Sequence, residues 1–235
     1  VQGAAVLALS RFPDKKVVGK LLKDGLGSGD NQVKAYACVA LGRIGRDLPD
    51  SETGLKRTIA KALEEAAVKP ATNIYAAMYA SLGLGIMGDD SARDFIISCL
   101  GKERKKNRDE NNSAMAMSAG LLELTSAVSS LRDISKGKGG VDQDFQGYAC
   151  FALAVMGDGP SKEVIVQAMK RNARRKDVLR SGCWALGLLG DETDIGALIE
   201  YLKLERATMK EVRGAAAIAI GLIGDRRRVP TLLDW

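Results

Sequence analysis

The chain has 235 residues, 46% of them hydrophobic and 27% charged, with a formal net charge of +6. That balance suits a soluble globular chain of one or two domains, and the modest positive excess leans toward an anionic partner. No run of 18 apolar residues occurs, so no transmembrane helix and no membrane insertion are expected.

Aromatic residues make up only 5% while alanine and glycine abound, so the core is expected to be built from closely packed helices with small side chains. Strict apolar–polar alternation is missing over any useful length, which leaves little strand signal.

In chain order the predicted elements come in pairs. A first helix opens at Val1-Gln-Gly-Ala-Ala-Val-Leu-Ala-Leu, followed by a second over Lys16 to Leu22. The next first helix opens at Val33-Lys-Ala-Tyr-Ala-Cys-Val-Ala-Leu, with its partner over Leu55 to Ala66. A third begins near Ile74 with about two extra residues, and its partner spans Ala92 to Leu100. The fourth, Ser113 to Ser126, departs from the pattern, because Leu124-Thr-Ser replaces the Gly-Asp ending of other copies. The fifth opens at Phe145-Gln-Gly-Tyr-Ala-Cys-Phe-Ala-Leu with Lys162 to Met169 as partner, and the sixth at Val178-Leu-Arg-Ser-Gly-Cys-Trp-Ala-Leu with Ile195 to Leu202. The last opens at Val212-Arg-Gly-Ala-Ala-Ala-Ile-Ala-Ile. Pro160 and Pro230 stand near the starts of second helices, where a missing N–H costs little.

Counted from the first apolar residue, apolar side chains fall at offsets 0, 4, 7, 8 and 11, as in Val33, Ala37, Ala40, Leu41 and Ile44. This is the stripe of an amphipathic helix. Offsets 4 and 7 are small in the five good copies (Ala5 and Ala8, Ala37 and Ala40, Ala149 and Ala152, Gly182 and Ala185, Ala216 and Ala219), which marks a stacking surface. Gly45, Gly88, Gly157, Gly190 and Gly224 are placed to end the first helices in the left-handed conformation. Asp89, Asp158, Asp191 and Asp225 follow as caps of the next helix.

The run from Val178 through Arg180 to Ala185-Leu-Gly-Leu-Leu-Gly-Asp191 and its echo from Val212-Arg213 to Ala219-Ile-Gly-Leu-Ile-Gly-Asp225 resemble HEAT-like repeats, of the type first described in phycobilin lyase subunits. The copies recur at roughly 32 to 43 residues, as two-helix solenoid units do. The resemblance implies an all-α, right-handed α-solenoid of the armadillo type, with about seven repeats at approximately 1–29, 30–69, 70–107, 108–140, 141–175, 176–207 and 208–235 in one domain, 1–235. The chain opens inside a first helix and closes inside a second with no polar cap, so a longer parent protein is expected. It begins at Val1 without Met, which leaves room for a leader upstream.

Cys38, Cys150 and Cys183 share offset 5 with Val6 and Ala217, which argues for packed free thiols, and Cys99 lies in a second helix. Unpaired thiols favour a reducing compartment such as the cytoplasm. Trp184 shares its offset with Leu7, Val39, Phe151 and Ile218 and reads as a core aromatic. The chain has no histidine, which removes the commonest general base and metal ligand, and with it the His-Glu iron sites of HEAT-repeat hydroxylases. No Walker motif, GxSxG or CxxC is present; no catalytic residue, cofactor or metal site is expected.

The cations gather between repeats. Lys102, Arg104, Lys105, Lys106 and Arg108 form one group, and Lys170, Arg171, Arg174, Arg175 and Lys176 a second. Weaker echoes are Lys136 with Lys138, and Lys203, Arg206 with Lys210. Turns within repeats carry Asp47, Asp50, Asp89, Asp90, Asp158, Asp191 and Asp194, so a basic and an acidic edge are expected, with Arg226-Arg-Arg228 breaking the pattern. Helix dipoles explain part of this polarity. Arg180 and Arg213, with Lys34 aligned to the latter, suit hydrogen bonding between neighbouring repeats.

Three functions follow: a non-catalytic scaffold presenting to a protein partner an extended concave surface lined by second helices; binding of nucleic acid, an acidic protein or another polyanion along the basic edge; and, on resemblance alone, a bilin lyase-like subunit. A relation to HEAT-like DNA glycosylases would require an aromatic and acidic cluster, and none is recognisable along the chain.

Overall fold

Within the described residues the segments with helical periodicity fold as helices, and the small residues within them set how closely the helices meet. A computed structural model describes residues 2–68, 74–101 and 109–224, and among these there are thirteen α-helices and no strand. They are α1 (Gln2–Leu9) and α2 (Lys15–Lys20), the latter running on as a π-turn over Leu21–Gly25; α3 (Asn31–Asp47) and α4 (Thr53–Val68); α5 (Ile74–Met87) and α6 (Asp90–Leu100); α7 (Asp109–Leu121) and α8 (Val128–Ser135); α9 (Gln143–Val155) and α10 (Lys162–Arg171); α11 (Lys176–Leu189) and α12 (Ile195–Leu202); and α13 (Lys210–Ile223). The chain divides into two compact units, Val1–Ala127 and Val128–Trp235, parting between α7 and α8.

The same packing rule operates inside each unit. In the first, α1, α3, α5 and α7 pack in succession, while α4 lies against α5 and α6 against α7. In the second, α9, α11 and α13 pack in succession, while α8, α10 and α12 lie against the first helix of the following pair. This is the packing of helical repeats.

Close backbone approach between successive first helices recurs at two positions. A Cβ added to Gly42 would lie 2.3 Å from the carbonyl oxygen of Gly83, and one added to Gly187 would lie 2.8 Å from Cα of Ala219. Gly85 meets Cα of Ser118 in the same way, at 2.7 Å. Counted from Val33, Ala76, Asn111, Val178 and Val212, offset 9 of one copy thus meets offset 7 of the next. Offset 4, expected on the same surface, faces the preceding second helix instead: a Cβ on Gly182 would strike Met169 of α10, and Ala37 presses on Gly25 of the π-turn. Ala37, Ala40, Ala149, Ala152, Ala185, Ala216 and Ala219 are fully buried, whereas Ala5 and Ala8 are exposed.

These contacts register the fourth copy at Asn111, not Ser113. It matches poorly in sequence because polar groups occupy core positions. Asn111 is buried at the offset of Val33, Val178 and Val212; its amide donates to the Ala67 carbonyl at 2.9 Å and accepts from Ser81 Oγ at 2.6 Å. Ser118, in place of Ala, donates to the Ser81 carbonyl at 2.6 Å. Asn111, Ser81 and Ser118 each find hydrogen-bond partners, so the helix seats as the apolar copies do.

Helix ends follow the expectation in part. Gly88 (φ +72°) and Gly157 (φ +68°) take the left-handed conformation. Glu123 (φ +50°) does so at the equivalent place in the fourth copy, and there the Leu124 N–H reaches the Ala119 carbonyl just as Asp158 N–H reaches that of Leu153. Gly190 and Gly224 end their helices with extended backbone, φ −74° and −67°. Gly45 does not end α3, which continues to Asp47 and stops at Leu48-Pro49, where the proline disfavours helical geometry in the residue before it.

All four cysteines are free and buried. Burial pushes the Cys38 and Cys183 thiols up to about 12 and that of Cys150 up to about 11.

Candidate functional site

The acidic turns of the second unit are engaged within the fold. The Arg132 guanidinium of α8 forks onto both carboxylate oxygens of Asp158 (2.8 and 3.0 Å) and donates to Ser161 Oγ (2.7 Å). Lys162 Nζ of α10 donates to Asp191 (2.8 Å) and Asp194 (3.0 Å), and this holds the Asp191 carboxyl well below the usual carboxylate range. Asp191 caps the turn after α11 as expected; Asp158 serves the ion pair and caps nothing with its side chain.

Of the basic residues singled out in sequence, Lys102, Arg104, Lys105, Lys106 and Arg108 lie outside the described residues, as do Asp225 and Arg226-Arg-Arg228. Lys170 and Arg171 form the last turn of α10, Arg174 and Arg175 the connection, and Lys176 the first residue of α11. All five are exposed. Arg171 donates to the Lys136 carbonyl at 3.3 Å; among the described residues Lys170, Arg174, Arg175 and Lys176 form no ion pair. An open groove of about 470 Å³ joins this turn to the next, with Arg174, Lys203 and Arg206 along it, Glu205 beside them, and Leu204 and Met209 also in its lining. Arg213 pins the second turn by donating to the Leu204 carbonyl (2.5 Å) and the Arg206 carbonyl (3.3 Å). Arg180 makes the expected tie between repeats, donating to Glu211 at 2.7 Å with Asp177 at 3.3 Å.

A second feature corrects the reading of Trp184. It packs against the core of the second unit but is only half-buried, and it also lines a groove of about 450 Å³ with Tyr148, Phe151, Arg180 and Ser181 between α9 and α11. An aromatic cluster not recognisable along the chain is therefore assembled here, with acidic residues one helical turn back and outside its lining. Asp144, Tyr148 and Phe151 share one face of α9, at i, i+4 and i+7, and Asp177, Ser181 and Trp184 repeat the spacing on α11. Glu211, Ala215 and Ile218 repeat it on α13. The groove stayed hidden because its walls come from helices a full repeat apart in sequence.

A signal was nonetheless present. At 100° per residue, offset 6 lies about 120° from offset 0, outside the buried stripe. Yet it carries Val39, Leu82, Met117, Phe151, Trp184 and Ile218, all half-buried or exposed. One turn on, Leu121, Leu188 and Leu222 are 47–52% exposed. The first unit has a corresponding groove of about 350 Å³, lined by Asn31, Gln32, Ala35, Tyr36 and Tyr79.

Electrostatically the row of first-turn acids is uneven. Arg180 holds the Glu211 carboxyl below its ordinary range. Burial, with Asp177 and Asp142 close by, pushes that of Asp144 up, against the opposing pull of Arg180 and Lys176. Among the described residues no cluster of three His, Cys, Asp or Glu side chains forms a metal site, and no helix is long and apolar enough to cross a membrane.

The comparison with curated proteins finds no match to this chain. The family model described as PBS lyase HEAT-like repeat matches residues 212–234, one of the two runs that carry the resemblance in sequence. The name describes a structural unit, and a repeat of this kind specifies a scaffold, function residing in the site built on it. With its paired, successively packed helices and this match, the chain is consistent with a HEAT-like repeat protein.

Proposed function

We propose that the chain is a non-catalytic protein-binding module, and that the outward face of its first helices is the binding surface. The observation that carries this reading is the row of large apolar side chains at offset 6, half-buried or exposed where a solvated face would be polar. Phe151, Trp184, Leu188, Ile218 and Leu222 form a continuous example on α9, α11 and α13. Apolar surface of that kind marks an interaction site. A photo-crosslinker placed at Leu188 in native extract should capture protein in a manner abolished by Trp184→Asp. Failure to capture any protein would end the reading.

A second reading is favoured by the exposed cations Lys170, Arg174, Arg175 and Lys176, which form no ion pair among the described residues: binding of nucleic acid or another polyanion along the turns between repeats. Their neighbours Lys203 and Arg206 extend the same groove. Fluorescence anisotropy with duplex and single-stranded oligonucleotides tests it; affinity should fall steeply with salt, and absence of binding at low salt removes it.

A further inference from the structure

We infer that the groove between α9 and α11 takes a lysine or arginine side chain from an extended segment of a protein partner, seating it against Tyr148, Phe151 and Trp184 with Asp144 as its counter-ion. The inference rests on the protein-binding reading and names the chemistry of the partner.

Three aromatic rings line one open groove of about 450 Å³. Aromatic faces attract cations, tryptophan most strongly, and the attraction grows as water is excluded. The charges flanking the groove favour the same occupant. Asp144 stands one helical turn before Tyr148 on the same face, as Asp177 stands before Ser181. Arg180, the cation within the lining, is held by Asp177 and Glu211 and so is not free to satisfy Asp144. The row thus presents three carboxylates to Arg180 and the exposed Lys176, and leaves Asp144 without a hydrogen-bonded partner among the described residues. A phosphate-bearing chain would meet this carboxylate row first, which argues against nucleic acid on this face although the basic turn at Arg174 and Arg175 is only a few residues away. The stretch from Trp184 and Leu188 on to Ile218 and Leu222 offers apolar ground for the segment's neighbouring side chains.

The test uses the full chain and three labelled probes, read by fluorescence anisotropy. They are a peptide of repeating Leu-Ser-Arg-Ser, its Leu-Ser-Glu-Ser counterpart, and oligo(dT). The arginine peptide should bind at least fivefold more tightly than the glutamate peptide. Asp144→Asn should weaken it at least threefold and Trp184→Ala at least fivefold. Phe151→Leu, milder for the fold, should weaken it to an intermediate degree, with unchanged helical circular dichroism certifying each variant. Equal binding of the two peptides, indifference of the arginine peptide to Asp144→Asn and Phe151→Leu, or oligo(dT) binding that is lost in Trp184→Ala would each overturn the inference. Should crosslinking from Leu188 still capture protein while the arginine peptide is indifferent to these variants, the cation site falls and the protein-binding reading stands. If crosslinking captures nothing, that reading falls as well.

Discussion

Replacing Gly42 by alanine tests the rule that offset 9 of one first helix meets offset 7 of the next. The added methyl would sit 2.3 Å from the Gly83 carbonyl oxygen and 2.8 Å from its Cα. Both atoms belong to backbone, so no side chain can rotate away, and α3 and α5 must separate by about 1 Å to restore ordinary contact. Overpacking of a tight interior costs about 1–3 kcal/mol, and the backbone obstacle places this site near the upper end. Alanine regains about 1 kcal/mol of helix propensity over glycine. The net is a loss of about 2 kcal/mol, or a fall in Tm of about 8 °C for a unit of this size. Gly214→Ala is the control, since no described atom lies within 4 Å of its added Cβ; it should stabilise by about 0.5–1 kcal/mol. Urea denaturation followed by circular dichroism at 222 nm (about where helices absorb) measures both. If Gly42→Ala matched or exceeded the wild type while Gly214→Ala behaved as expected, the close-approach rule would be refuted.

Other consequences can be measured alongside. Arg132→Ala removes a half-buried fork that ties α8 to the turn at Asp158 and should cost about 1–2 kcal/mol in the same urea assay; lysine there should recover less than half, because one nitrogen cannot replace the fork. The buried thiols are raised, so the unfolded chain releases its thiol protons first as pH climbs past about 8.5. Their stabilisation is complete below that pH and is lost toward pH 11–12, at about 1.4 kcal/mol per pH unit for each thiol, so the urea midpoint should drop between pH 8 and pH 10. A disulfide-exchange reagent should leave all four cysteines untouched in the folded chain and titrate them in urea. Arg174→Glu with Arg175→Glu should leave stability within about 0.5 kcal/mol of wild type. If the turn binds polyanions, the same pair should lower oligonucleotide affinity at least tenfold and reduce the salt slope by about two.

Much of the fold was legible because the repeat states the same instruction many times. Second helices expected at Leu55 to Ala66, Ala92 to Leu100 and Ile195 to Leu202 are found as α4, α6 and α12 within two residues at each end. The ends of first helices were less legible, since a glycine permits a left-handed residue without requiring one. Gly88 and Gly157 adopt it, Gly190 and Gly224 stop with extended backbone, and Glu123 adopts it with no glycine at all. The fourth copy was blurred by Asn111 and Ser118, whose hydrogen bonds to Ala67 and Ser81 make polar side chains acceptable at core positions. Trp184 reads as a core aromatic because the residue types at its offset are apolar, whereas its angular position on the helix lies off the buried stripe.

By itself, then, the amino-acid order determined which segments are helical, that they come in pairs, and which stripe of each is buried, because those properties arise within a few turns of one helix. Tertiary structure decided which partner each face meets. Whether a small residue admits the next first helix, as at Gly42, or the preceding second helix, as at Gly182, depends on backbones a repeat apart. So does the groove of Tyr148, Phe151 and Trp184, whose walls form one surface only when α9 and α11 lie side by side. Local periodicity is a property of one helix; a binding surface belongs to the spacing between two.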